Sequence, residues 1–231
     1  MTFSKHFAET AKERQSRLIL ALDEPDFKKA FTVLRRVAPH FAAVKIHPEH
    51  ALLWGKPHAK VVEKIKSLQI PFVILDAKLA DIPESNAFKA KYYFEQGYDA
   101  LICHGFAGAQ SVQAIVDAAE GKGVFLLAAM TPPGHLFSPE VVTQLCQTAQ
   151  SVSVSGVVAP GNQYEILSGI RQKIGPDKII LSPGIGAQGG DAKKAFEAGT
   201  SFAIVGRTIL NAEKQSLAAK HMKNALNEAI Q

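Results

Sequence analysis

Cysteine is nearly missing from this chain: Cys103 and Cys146 are the only two in 231 residues. Two thiols in so long a chain do not make a disulfide framework, and no CxxC pair suggests a zinc site. The usage predicts a reducing compartment, and Cys103, inside a predicted strand, reads as a small buried hydrophobe. Long apolar runs are also lacking; no stretch reaches the length of a membrane span. The segment Met1 to Gln15 is charged and polar, without the apolar region of a signal peptide. A cytoplasmic protein with no membrane partner is expected. Neither sign of charge dominates: 26 basic residues against 21 acidic give +5. No basic run stands out and aromatics are not interleaved with basic residues, which argues against nucleic acid as a partner. A mild positive excess is compatible with small anionic substrates. Linkers, low-complexity tracts and close repeats are absent as well.

Hydrophobic residues, by contrast, make up 47% of the chain, enough for the core of one large α/β domain spanning residues 1–231. Short apolar runs alternate with amphipathic stretches from end to end. The runs at 17–23, 42–46, 72–78, 100–104, 124–128, 156–158, 179–182 and 202–205 read as strands. Helical patterns follow at 27–37, 61–68, 85–96, 109–120, 140–150, 163–174, 192–198 and 216–229. Eight strand–helix units in this length favour a (β/α)8 TIM barrel over an open doubly wound sheet. Pro25 and Asp26 open the first of these helices, Gly97 closes the third and Gly199 follows the seventh. A further helix over 3–14 is expected outside the barrel.

The most informative stretch is Asp76-Ala77-Lys78-Leu79-Ala80-Asp81-Ile82-Pro83. It places three charges at the end of Pro71-Phe72-Val73-Ile74-Leu75, a run that reads as a buried parallel strand, where an aspartate and a lysine are costly. Period-two geometry puts Asp76 and Lys78 on one face. Lys45 ends the preceding strand, and neighbouring strands lie about 4.8 Å apart. An alternating row of Lys45, Asp76, Lys78 and nearby Asp81 is therefore expected. Such a row repels a ligand anion near Asp76 and stabilises negative charge developing near Lys78. It suits a reaction that loses an anion and leaves electron density behind. The alternative is an internal ion pair that only anchors a loop.

A barrel carries its working residues beyond the C-terminal ends of its strands. The other non-apolar residues there are Asp23, His104, Thr131, Ser182 and Arg207. Glycine-bearing loops, Ser182 to Asp191 and Val205-Gly206-Arg207-Thr208, follow the seventh and eighth strands, where barrels commonly bind phosphate. Glycines let backbone N–H groups approach an anion, and Arg207 can hold phosphate oxygens bidentately. Gly189 and Gly190 suggest a lid that brings Gln188 to the phosphate on closing. Thr131, in a second loop at Met130 to Gly134, either binds a ligand or caps the turn. His104 reads as a packed, hydrogen-bonded histidine. His47, His50 and His58 show no ligand spacing tied to a carboxylate cluster, so no metal is expected.

Taken together, these motifs resemble the orotidine 5'-phosphate decarboxylase family from Leu20-Ala21-Leu22-Asp23 to Val205-Gly206-Arg207. Asp76 to Pro83 matches its D-x-K-x-x-D-I-P pattern, and Ser182 to Gly190 its phosphate lid. The resemblance implies a cofactor-free decarboxylase that converts orotidine 5'-phosphate to UMP, built as a homodimer with shared sites. It implies that Asp23 and Lys45 contact ribose hydroxyls, that Asp76 faces the substrate carboxylate and that Lys78 protonates C6. Asp81, Ile82 and Ser85 would come from the partner subunit. Thr131 would bind the amide edge of the pyrimidine, Pro183 would lie beside the base, and Gln188, Gly206 and Arg207 would hold the phosphate. Ser85 and Thr131 stand where relatives commonly carry threonine and serine, so each keeps its hydroxyl. Two other readings are a magnesium-dependent phosphosugar enzyme of the same superfamily and a catalytically silent nucleotide-binding barrel. The first uses an acidic ligand where this chain has Lys45, and a lysine there repels magnesium. The second has no need of Asp76 beside an anion.

Overall fold

A computed structural model describes residues 2–132, 134–186 and 188–229. Pro133 of the second active-face loop and Ala187 of the glycine-rich loop lie outside these residues, as does Met1. Eight parallel strands close on themselves: β1 (Leu18–Ala21), β2 (Ala43–Ile46), β3 (Phe72–Leu79), β4 (Ala100–Cys103), β5 (Gly123–Leu127), β6 (Gly156–Val158), β7 (Ile179–Pro183) and β8 (Phe202–Val205). Closure comes from β8 pairing with β1, Ala203 opposite Leu18 and Val205 opposite Leu20. Most strands are buried along their whole length, which explains why they read as continuous apolar runs rather than alternating ones.

The helices are α1 (Phe3–Glu13), α2 (Phe27–Val37), α3 (Pro48–Leu53), α4 (His58–Lys66), α5 (Pro83–Glu95), α6 (Ala109–Ala118), α7 (Pro139–Ser151), α8 (Tyr164–Ile174), α9 (Ala192–Glu197), α10 (Arg207–Leu210) and α11 (Gln215–Glu228). Their starts follow side-chain chemistry. Asp26 accepts the Lys29 amide at 2.8 Å to cap α2, and Asp191 accepts that of Lys194 at 2.8 Å to cap α9. Ser138 caps α7 ahead of Pro139, whose missing N–H costs nothing at the first helical position.

Helix α1 lies outside the strand–helix alternation and closes the N-terminal end of the barrel. Phe7 is fully buried, its ring 4.7 Å from that of Phe72 and 4.6 Å from that of Phe202, at the starts of β3 and β8. Phe3 reaches Phe125 at 6.1 Å. The catalytic face of a barrel is its other end, so α1 seals the core where no chemistry is done.

Two local departures bear on the site. Strand β1 ends at Ala21, which leaves Asp23 in the loop beyond it. Strand β3 does not keep its alternation: between the pairs Leu75–Leu101 and Leu79–Cys103 it advances four residues while β4 advances two. This bulge puts Lys78 at φ +45°, in the left-handed region that a lysine rarely occupies. Asp76 and Lys78 do meet, at 2.8 Å, but across a bulged stretch of β3 rather than a regular alternation.

The barrel tolerates no side chain at Gly156, where a Cβ would drive into the carbonyl of Ile179 on β7. Gly156→Ala is expected to cost about 3 kcal/mol through overpacking. Thermal unfolding should show a loss of roughly 6–12 °C for a chain of this size. An unchanged melting temperature would mean that β6 and β7 can separate freely.

Candidate active site

At the C-terminal ends of the strands lies a cavity of about 240 Å³. Its floor is apolar, with Ile102, Leu127, Val158 and Ile204 contributed by four strands or their ends. Its rim carries Asp23, Lys45, His47, Asp76, Lys78, Thr131, Gln188 and Arg207, with Pro183, Gly184 and Gly206 completing the wall. Nine of the residues singled out from the sequence thus meet in one place: Asp23, Lys45, Asp76, Lys78, Thr131, Pro183, Gln188, Gly206 and Arg207.

Asp76 is the centre of the charged side. It is 9% exposed and held from two directions, Lys45 Nζ donating to Oδ2 at 3.1 Å and Lys78 Nζ to Oδ1 at 2.8 Å. Burial alone pushes its carboxyl up, but the charges of Lys45 and Lys78, the hydrogen bond from Lys78 and the nearby His47 outweigh burial and hold it below the usual aspartate range. Lys45, 5% exposed at the end of β2, also faces Asp23 at 3.8 Å. Charges this deep persist because they are paired.

His47 belongs to this network, which judging the histidines by metal-ligand spacing alone did not reveal. Its Nδ1 lies 3.1 Å from the Asp76 carbonyl, and its Nε2 2.8 Å from Lys45 Nζ. A carbonyl can only accept, so Nδ1–H donates to it, and Nε2 presents its lone pair to the ammonium. The imidazole therefore braces Lys45 against the β3 backbone. The signal available in the sequence was its place two residues past Lys45, at the mouth end of β2.

The opposite side of the cavity is built on glycine. Gly184 and Gly186 take φ of +97° and +84°, and Gly190 N–H donates to Gly184 O at 3.0 Å, so the loop folds into a tight hydrogen-bonded turn. Gln188 lines the cavity here, and its carbonyl accepts from Asn162 Nδ2 at 3.3 Å. Gly206 caps α10, whose first residue is Arg207.

Not all of the residues singled out from the sequence line this cavity. Ser182 does not reach the site; it is fully buried and accepts a hydrogen bond from Thr200 Oγ1 at 2.8 Å. Its neighbour Pro183 lines the cavity instead, since successive residues on a strand face opposite ways. Asp81, Ile82 and Ser85 lie outside the cavity of their own chain: Asp81 pairs with Lys89 at 2.6 Å, and Ile82 is 60% exposed. Within one chain the charge row therefore has three members, not four. His104 stacks against Phe106 and Phe137 beside the site, as a packed histidine should, but its buried Nδ1 has no partner among the described residues. Burial and the charge of Lys78 lower its pKa.

Fold and cavity define a (β/α)8 barrel with a charged site at the C-terminal ends of its strands, the enzyme arrangement of this architecture. Residues 16–222 match the family described as "Orotidine 5'-phosphate decarboxylase / HUMPS family", and the chain belongs to it. Orotidine 5'-phosphate decarboxylase of Thermococcus kodakarensis is 35% identical over 216 residues, 94% of this chain and 99% of that protein. The crystal structure of the enzyme of that name from Pyrococcus horikoshii superposes with a TM-score of 0.82 at 33% identity, covering 90% of this chain and 98% of the other. A Methanocaldococcus jannaschii orotidine 5'-monophosphate decarboxylase complexed with the inhibitor BMP gives 0.83 at 32% identity, covering 91% and 98%.

The electrostatics make a pH-dependent prediction. A carboxyl whose folded pKa is depressed adds stability that is complete above its unfolded pKa, about 4, and is lost as pH falls through the folded value. Asp76→Asn removes the nearer of the two carboxylates facing buried Lys45, leaving Asp23 at 3.8 Å, and is expected to cost about 3 kcal/mol at neutral pH. Denaturant titrations should show a constant gap to the unsubstituted protein from pH 6 to 8, narrowing below about pH 4. A gap independent of pH would show that Asp76 is not held as an anion.

Proposed function

We infer that the protein decarboxylates orotidine 5'-phosphate to UMP and carbon dioxide, by a reaction that uses no cofactor. The observation that carries this reading is Asp76, buried at the cavity mouth between the ammonium groups of Lys45 and Lys78. In the reaction, the bond from C6 to the carboxylate carbon breaks, carbon dioxide departs and the electron pair stays on C6. Lys78 Nζ stabilises that charge and then gives C6 its proton. Asp76 faces the departing carboxylate. Asp23 and Lys45 take the ribose hydroxyls, with His47 holding Lys45 in line. Thr131 meets the amide edge of the pyrimidine and Pro183 lies beside the base. Gln188, Gly206 and Arg207 hold the phosphate.

The phosphosugar reading within the same family is disfavoured by Lys45. Its ammonium fills the space between Asp23 and Asp76, where a divalent cation would need those carboxylates for itself.

The site is proposed to be completed by a second copy of the chain, in a homodimer. Asp81 and Ile82 lie outside the cavity of their own chain, and Ser85 follows them on α5. Exposed apolar side chains accompany them: Ile82, then Phe88 and Tyr92 one turn apart on α5, with Phe106 and Leu136 on neighbouring loops. Delivering Asp81 of the partner subunit to Lys78 extends the alternation to four charges.

Absorbance assays with orotidine 5'-phosphate test the activity, and turnover should be unchanged by EDTA. Lys78→Ala should lower kcat by at least about a thousandfold while UMP still binds; near-normal turnover would remove Lys78 as proton donor. Arg207→Ala should raise KM by roughly 30–150-fold, the worth of about 2–3 kcal/mol for charged hydrogen bonds to phosphate. An equal effect on the unphosphorylated nucleoside would disprove the phosphate role.

A further inference from the structure

We propose that Lys89 is a positioning residue that presets the Asp81 carboxylate before another subunit's site receives it. The inference rests on the reading above, in which Asp81 serves the neighbouring cavity. The segment that would cross is fixed at both its side chain and its backbone. Asp81 Oδ1 accepts the Ile82 amide at 2.8 Å, and Oδ2 accepts Lys89 Nζ at 2.6 Å, so each carboxylate oxygen is engaged. The Asp81 carbonyl accepts from Asn86 Nδ2 at 3.1 Å and from the Ser111 hydroxyl. Asn86 and Ser111 are themselves bonded at 2.7 Å and buried between α5 and α6.

A half-exposed ion pair such as Asp81–Lys89 contributes little to folding. Its consequence lies in geometry and charge. The lysine, two turns along α5 from Ile82, selects one orientation of a carboxylate on an otherwise exposed turn. Its charge also carries the alternation one step further: Lys45, Asp76 and Lys78 in one subunit, then Asp81 and Lys89 of the other. Each anion in that series sits between two cations. Without Lys89, Asp81 would enter a site already holding Asp76 and an anionic substrate, with less to offset the repulsion.

Steady-state kinetics and sedimentation of Lys89→Met, Lys89→Arg, Asp81→Asn and the Asp81→Asn/Lys89→Met double variant test this. Lys89→Met should lower kcat about tenfold, as misplacement of a site group does, with KM changed less than about twofold. Lys89→Arg should recover most of the loss. On the Asp81→Asn background, Lys89→Met should add nothing, because the lysine acts through that carboxylate. An unchanged or raised kcat for Lys89→Met, in a dimer that Asp81→Asn impairs, overturns the proposal. So does a full further loss in the double variant, which would place the lysine's action elsewhere. A monomer in which Asp81→Asn is fully active has a different signature: it overturns the shared-site reading, and the role of Lys89 with it.

Discussion

The buried Asp76 carboxylate, clasped by Lys45 and Lys78, is the constraint around which the mouth of this barrel is arranged. An isolated carboxylate at that depth would lose several kcal/mol of hydration, and so would an isolated Lys45. Each is tolerable only with the other in place. The requirement reaches into the backbone: β3 bulges, and Lys78 takes a left-handed φ that costs about 1 kcal/mol or more. His47 adds a second brace, tying the Lys45 ammonium to the backbone of Asp76 itself. The strain and the desolvation are tolerated because the closed barrel beneath, sealed at its other end by Phe3 and Phe7, leaves the strands no freedom to relax.

Magnitudes limit what this clasp does in the proposed reaction. Two like charges 4 Å apart repel by about 4 kcal/mol at an effective dielectric of 20. Stress between Asp76 and a substrate carboxylate is therefore worth roughly a thousandfold in rate at most. Enzymatic accelerations can demand about 20 kcal/mol. The larger part must come from interactions that strengthen as charge builds on carbon, which is the role proposed for the Lys78 ammonium. Asp76 then has a second task, more modest and more structural. It fixes where Lys78 Nζ sits before any substrate arrives, so that little reorganisation remains when the carbanion forms.

Much of this was legible in the sequence because parallel barrels leave strong signatures. Continuous apolar runs announce strands buried on both faces, and charges that interrupt the ends of such runs mark the mouth; Lys45, Asp76 and Lys78 were found on that ground. What escaped notice depended on local geometry rather than pattern. The β3 bulge has no glycine to mark it. Ser182 and Pro183 are adjacent, and only the strand's end decides which of them turns inward. His47 was judged for metal-ligand spacing, whereas its role is a hydrogen bond to a lysine two residues away. Lys89 carries no signal in the sequence, since nothing in a linear reading brings it to Asp81, a residue that its own cavity does not use.

Closure of the barrel also links the two ends of the site. Because β8 pairs with β1, the loop carrying Gly206 and Arg207 lies against the loop carrying Asp23. A Cβ at position 206 would come within 3.1 Å of the Ala21 carbonyl and 3.7 Å of the Asp23 carboxylate. A Cβ there would press on the end of β1 at Ala21 and come into van der Waals contact with the aspartate that faces Lys45. Glycine at 206 thus does more than clear a path to an anion. It lets the proposed phosphate grip and the charged clasp share one wall. The groups proposed to grip the phosphate and those of the charged clasp are thus separated by one closed strand pair rather than by the width of the barrel.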